Sequence, residues 1–123
     1  MYDIVHALDV ARRVNVLVPS DDLWLIALLH DVVEDTELEE YDLIEAGVPP
    51  TIVGAVSCLT HRPGEPYADY IERVRKHPLA RLVKIADIES NLARMDEAHE
   101  CNRSKYLIAL DDLMHAVERR ETP

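Results

Sequence analysis

Proline and glycine cut this chain at four places, Pro19, Gly47 to Pro50, Pro63 to Pro66 and Pro78, and between the cuts apolar residues recur at helical spacing. Ile4, Val5, Leu8, Ala11 and Val14 outline a first helix. Ser20 can cap a second, which runs through Trp24, Leu25, Leu28 and Leu29 into the stretch HDVVEDT at residues 30–36. A short third helix, Leu38 to Ala46, stops at Gly47. Pro49 and Pro50 open a fourth through Ile52, Val53, Val56 and Leu59. Tyr67 to Lys76 makes a fifth, Leu79 to Met95 a long sixth, and about Asn102 to Arg119 a last amphipathic one. Sustained period-two alternation and hairpin turns are absent. The expected fold is all-α, a compact bundle of about six to seven helices.

A chain of 123 residues, 48% hydrophobic, with no repeat, low-complexity tract or linker, suits a single domain spanning 1–123. The opening MYDIVHALDVARRV carries too many charges for a signal peptide, and no apolar stretch approaches the roughly 20 residues of a membrane span. A soluble, cytoplasmic protein is expected, with Cys58 and Cys101 as reduced thiols. The net charge of −11 argues against general nucleic-acid binding, which needs a basic footprint. It allows a small phosphorylated ligand, provided a bound cation and local bases reverse the field in one cleft.

The run LWLIALLHDVVEDT gathers one histidine and three acids at the end of an apolar helix. Buried charges of that kind cost several kcal/mol unless paired or metal-bound. On a helix, positions three and four apart share a face, so His30, Asp31, Glu34 and Asp35 can converge. Imidazole with carboxylate is a ligand set for a divalent first-row metal.

Two residues from other helices can complete such a site, His6 in the first helix and Asp87 in LVKIADIESNL. Taken singly, each also reads as a half-buried polar residue. Lys84, Asp87, Asn91 and Arg94 form one helical stripe, which a solvated face would equally explain. His61, His77, His99 and His115 lie in polar loops or the last helix and read as surface histidines. Cys58, flanked by Val56 and Leu59 with no adjacent base, reads as a core thiol.

The order His6, His30-Asp31, Asp87 resembles the HD phosphohydrolase superfamily. More narrowly, ALLHDVVEDT, VKIADIESNL and YDIVHALDVA resemble the hydrolase domain of the RelA/SpoT family, which removes pyrophosphate from the 3′ position of guanosine tetraphosphate (ppGpp). LTHRPGEPYADYIERV is similar to small stand-alone HD proteins. The resemblance implies an HD-type bundle with metal ligands His6, His30, Asp31 and Asp87, and Mn²⁺ as the ion. It also implies Glu34 and Asp35 as catalytic acids and Asn91 as a substrate contact. Only five residues precede His6, so the family's usual N-terminal helix is expected to be missing. Apolar surface uncovered there would invite a homodimer. Arg94 stands one residue later than in the family's Asn-Met-Arg pattern.

The first reading is therefore a metal-dependent phosphohydrolase acting on ppGpp or a related pyrophosphorylated nucleotide. Arg62, just after the fourth helix, and Lys84, one turn before Asp87, are the bases expected to meet its phosphates. Two other readings stand beside it: a different HD-type nucleotide phosphohydrolase or phosphodiesterase, and a non-catalytic HD domain that binds a nucleotide or a protein.

Overall fold

Capping chemistry starts and stops the helices in this computed structural model, which describes residues 2–95 and 100–119. Helix α1 (Ile4–Leu17) begins where the Asp3 side chain accepts from the His6 N–H at 3.0 Å. Helix α2 (Asp21–Leu29) begins where Ser20 Oγ accepts from the Leu23 N–H at 3.3 Å. After a single turn α3 (Val32–Asp35), Glu39 and Asp42 form a reciprocal capping box on α4 (Glu40–Glu45). Pro50 opens α5 (Pro50–Leu59), and α6 (Tyr67–Arg75) follows a loop that turns at Gly64. His77 caps α7 (Pro78–Arg94): its Nδ1 accepts from the Ala80 N–H at 3.2 Å, and burial lowers its pKa, which favours the neutral acceptor. Helix α8 (Glu100–Glu118) completes the bundle. No strand occurs among the described residues, and no described helix is long and apolar enough to cross a membrane.

The expected helices all form, with one correction at the motif. The second helix does not run through HDVVEDT. It ends at Leu29, and the chain turns at His30 (φ −58°, ψ −29°) and Asp31 (φ −104°, ψ 3°) before α3 resumes. Successive residues of a regular helix point about 100° apart, so an unbroken helix would aim His30 and Asp31 in different directions. The break lets His30 Nε2 and Asp31 Oδ2 approach to 3.1 Å.

Helix α7 is the axis of the bundle and packs on α1, α2, α5, α6 and α8. A helix in that position must be apolar nearly all round. Val83, Ala86 and Ile88 are fully buried, beside Val10 and Val14 of α1, Ile26 and Ala27 of α2 and Val56 of α5. The same burial takes in Lys84 and Asp87, so the solvated-face reading of their stripe fails at that end. His77, half-buried as a cap, is likewise not a free surface residue, whereas His115 stands exposed on α8. Cys58 is a free, half-buried thiol whose pKa burial raises. His99 and the side chain of Cys101 lie outside the described residues.

Gly47 ends α4 in a left-handed conformation (φ 91°). The N–H of Val48 reaches the Leu43 carbonyl and that of Gly47 the Ile44 carbonyl, both at 3.0 Å, which satisfies the helix's last acceptors. A Cβ there would meet no neighbour within 4 Å, so the cost of a side chain is conformational alone. Gly47→Ala is expected to destabilise by about 1–2 kcal/mol, and Gly47→Asn by less, since asparagine tolerates this region. Denaturant titration of the three proteins checks it; equal stability of all three would contradict the strain.

Candidate functional site

Asp87, in the middle of α7, is 4% exposed and has three partners. Lys84 Nζ, one turn earlier on the same helix, donates to Oδ2 at 2.7 Å. His6 Nε2 on α1 lies 2.7 Å from Oδ1, and His30 Nε2 lies 3.3 Å from the same oxygen. Burial alone would raise the carboxyl pKa, but Lys84, His30 and His6 together hold it well below the usual carboxylate range. The converse holds for Lys84, itself 8% exposed: burial works against its charge, and Asp87 outweighs it.

His6, His30, Asp31 and Asp87 each offer one ligand atom, and these atoms all lie within 4.8 Å of one another. An ion with bonds of roughly 2.0–2.2 Å spans ligand atoms up to about 4.4 Å apart, so small side-chain movements close the set. The ring protons fit as well. His30 Nδ1 lies 2.5 Å from the Ala27 carbonyl, which can only accept, so the proton sits on Nδ1 and the neutral ring turns its Nε2 lone pair to the cluster. Burial opposes a second proton on His30, yet Asp31 and Asp87 raise its pKa to about 10 when only carboxylates face it. Two imidazoles and two carboxylates suit a divalent first-row ion.

His6, Asp31, Glu34, Asp35 and Asp87 all line one cavity of about 370 Å³. Burial pushes the Glu34 and Asp35 carboxyls upward, with neighbouring Asp31 adding to the shift in both. Glu34 Oε1 also accepts a hydrogen bond from the His61 N–H, which moderates its shift. Three cations line the same cavity: Lys84, Arg94 and Lys105. Asn91, half-buried in the lining, accepts from Arg94 Nη2 at 3.0 Å, while Arg94 Nη1 donates to Asp3 at 3.1 Å. Arg62, the other base expected from the sequence, is exposed and does not line the cavity.

Periodicity misses three contributors. His61 is half-buried in the cavity wall, stacked on Tyr70 with ring centroids 4.7 Å apart. Its Nε2 donates to the Glu65 carbonyl at 2.7 Å. The loop that carries it is stapled by Arg73, which donates to the carbonyls of Cys58 (2.7 Å) and Thr60 (3.1 Å) and to the Glu65 carboxylate. Arg73 in turn brings the Glu65 pKa down to about 2. Lys105 reaches the site from α8, its ammonium 4.3 Å above the Tyr67 ring, and Tyr106 follows it. No sequence period predicts which face of α8 meets α6.

No protein-family model matches the chain, and no curated protein matches it in sequence. Among solved structures it is similar to a metazoan ortholog of SpoT, described as hydrolysing ppGpp with a role in starvation responses. The likeness has a TM-score of 0.74 and 24% sequence identity, and covers 89% of this chain and 70% of that one. The chain thus shares the fold of that SpoT ortholog.

The Lys84–Asp87 pair makes a stability prediction for the metal-free protein. A carboxyl whose pKa is lowered on folding stabilises above its ordinary pKa of 3.8, and that contribution is lost as pH falls toward the folded value. Asp87→Asn at neutral pH strands the Lys84 ammonium in the core and should cost about 3–5 kcal/mol. Adding Lys84→Met should recover a large part. Denaturant unfolding of the wild type and both variants measures this; a double variant no more stable than Asp87→Asn would contradict the pairing.

Proposed function

We propose that this chain is a metal-dependent phosphohydrolase of the HD type, acting on ppGpp or a related pyrophosphorylated nucleotide with Mn²⁺. One observation carries the reading: two histidines and two aspartates converge on one point beside a second acidic pair, with cations lining the same cavity. The SpoT-like fold supports the substrate class, because the similar metazoan protein hydrolyses ppGpp.

His6, His30, Asp31 and Asp87 would hold the ion. A bound divalent ion supplies charge for a phosphoryl oxygen and lowers the pKa of coordinated water. The chain's own residues do the rest. Glu34 and Asp35, with carboxyl pKa values raised, are suited to take a proton from the attacking water and return one to the departing 3′-oxygen. The His61 N–H keeps Glu34 in place for that exchange. Lys84 holds Asp87 ionised and adds positive charge behind the phosphates. Arg94 and Lys105 offset the field of a chain with net charge −11, and the Asn91 amide, whose oxygen is engaged by Arg94, offers N–H donors to the substrate.

Metal quantification should give one divalent ion per chain, lost in Asp31→Ala; equal metal content in both proteins would remove the centre from the reading. Mn²⁺-supported hydrolysis of ppGpp, ordinary nucleoside triphosphates and bis(p-nitrophenyl) phosphate then separates the pyrophosphohydrolase from a phosphodiesterase, and no turnover of any of them would leave a binding domain. Glu34→Gln keeps the acceptor for the His61 N–H and removes a charge that burial disfavours. It should retain metal, unfold at the same or a higher temperature, and lose on the order of 10²-fold or more in kcat. Asp35→Asn should lose turnover similarly. Near-normal turnover in both variants would leave the acidic pair without a catalytic role.

A further inference from the structure

Two tyrosines three apart on α6, Tyr67 and Tyr70, line the cavity with Lys84 and Asp87, and their hydroxyls differ. Tyr70 is buried and donates to the Leu59 carbonyl at 2.7 Å. The Tyr67 hydroxyl is buried too, yet among the described residues it is the one buried side-chain polar atom without a hydrogen-bond partner. Buried hydroxyls are nearly always paired, because an unmade bond leaves the loss of hydration uncompensated. Four neighbours hold the Tyr67 ring. Ring centroids of His61, Tyr70 and Tyr106 lie 6.1, 5.9 and 6.2 Å away, and the Lys105 ammonium stands 4.3 Å above the ring. All four line the same cavity. Burial pushes the Tyr67 pKa up to about 12, with Lys84 opposing and Tyr106 and Asp87 adding to it. Those three line the cavity and not the groove between α6 and α8 that Tyr67 also borders. At neutral pH the hydroxyl therefore keeps its proton and can donate.

We propose that Tyr67 is a substrate-binding residue whose hydroxyl donates to an anionic phosphoryl oxygen held in this cavity. The inference rests on the phosphohydrolase reading above and adds a contact to it. Lys84 and Arg94 draw an anion toward the cavity, but both are already engaged, Lys84 with Asp87 at 2.7 Å and Arg94 with Asp3 and Asn91 at 3.1 and 3.0 Å. Tyr67 has no acceptor to give up, so a bond from its hydroxyl is made without breaking another. An ionised oxygen is the acceptor that rewards such a donor most, since hydrogen bonds to charged groups are shorter and stronger than neutral ones.

Calorimetric titration with inorganic phosphate, on the Mn²⁺-loaded and the metal-free protein, tests the contact. Tyr67→Phe removes a single oxygen. It is expected to weaken phosphate roughly 10- to 100-fold, the scale of one hydrogen bond to a charged group, and to leave Mn²⁺ affinity unchanged. It should unfold at the same or a higher temperature, because the atom it loses is buried and unpaired. Tyr70→Phe, which strips the Leu59 carbonyl of its donor, should instead unfold at a lower temperature. Equal phosphate affinity in wild type and Tyr67→Phe would hand the hydroxyl to an ordered water and overturn the contact. So would a Tyr67→Phe midpoint that falls as that of Tyr70→Phe does. A wild type that binds no Mn²⁺ would overturn the metal centre instead. The metal-free titrations then decide on Tyr67 by the same comparison, and no phosphate binding by either protein would also overturn the contact.

Discussion

One buried carboxylate organises this molecule. Asp87 sits at the centre of the helix that every major part of the bundle touches, and its two oxygens divide their work. Oδ2 takes the Lys84 ammonium, while Oδ1 faces the imidazoles from α1 and α2. Removing charges from water in this way is expensive, and the expense is offset only when every partner arrives in place. The docking of α1 and α2 on α7 is therefore tied to the chemistry at their ends, since a shift of either helix would separate a histidine from the carboxylate.

The turn at His30 and Asp31 solves a geometric problem that arises when adjacent side chains face one point. Regular helix would splay the two side chains, and a flexible loop would leave them unordered. A two-residue interruption between α2 and α3 keeps both helical flanks packed, through buried Ile26, Ala27 and Val32, while the two polar groups turn to one point. Arg73 does comparable work for the loop carrying His61, fixing it through the Cys58 and Thr60 carbonyls.

Much of the bundle is legible in the sequence because its signals are local. Ser20, Pro50 and Gly47 each act within a turn of their own position, and apolar spacing marks the faces they bound. His6, His30, Asp31 and Asp87 stand out because ionisable groups in apolar helices require partners, and the structure brings the four together. The interruption after Leu29 is not legible, since DVVED continues the helical apolar spacing without a proline or glycine. Lys105, His61 and Ser90 are missed for a different reason. Each gains its place from a neighbour distant in the chain, and Ser90, whose hydroxyl lies 3.0 Å from His6 Nδ1, sits 84 residues from that histidine. Nothing in its own surroundings distinguishes it from any small residue on a buried helix face.

That separation also governs the order in which a growing chain can assemble. Helix α1 emerges first and can pair early with α2, but the other surface it presents, for α7, stays uncovered until Pro78–Arg94 has been made. Some 60 residues lie between the two helices. With α7 itself included, at synthesis rates of about 5–20 residues per second, that delay amounts to roughly 4 to 15 seconds. During it His6 has no Asp87 to face, so the four converging side chains cannot come together before the last of them has been made.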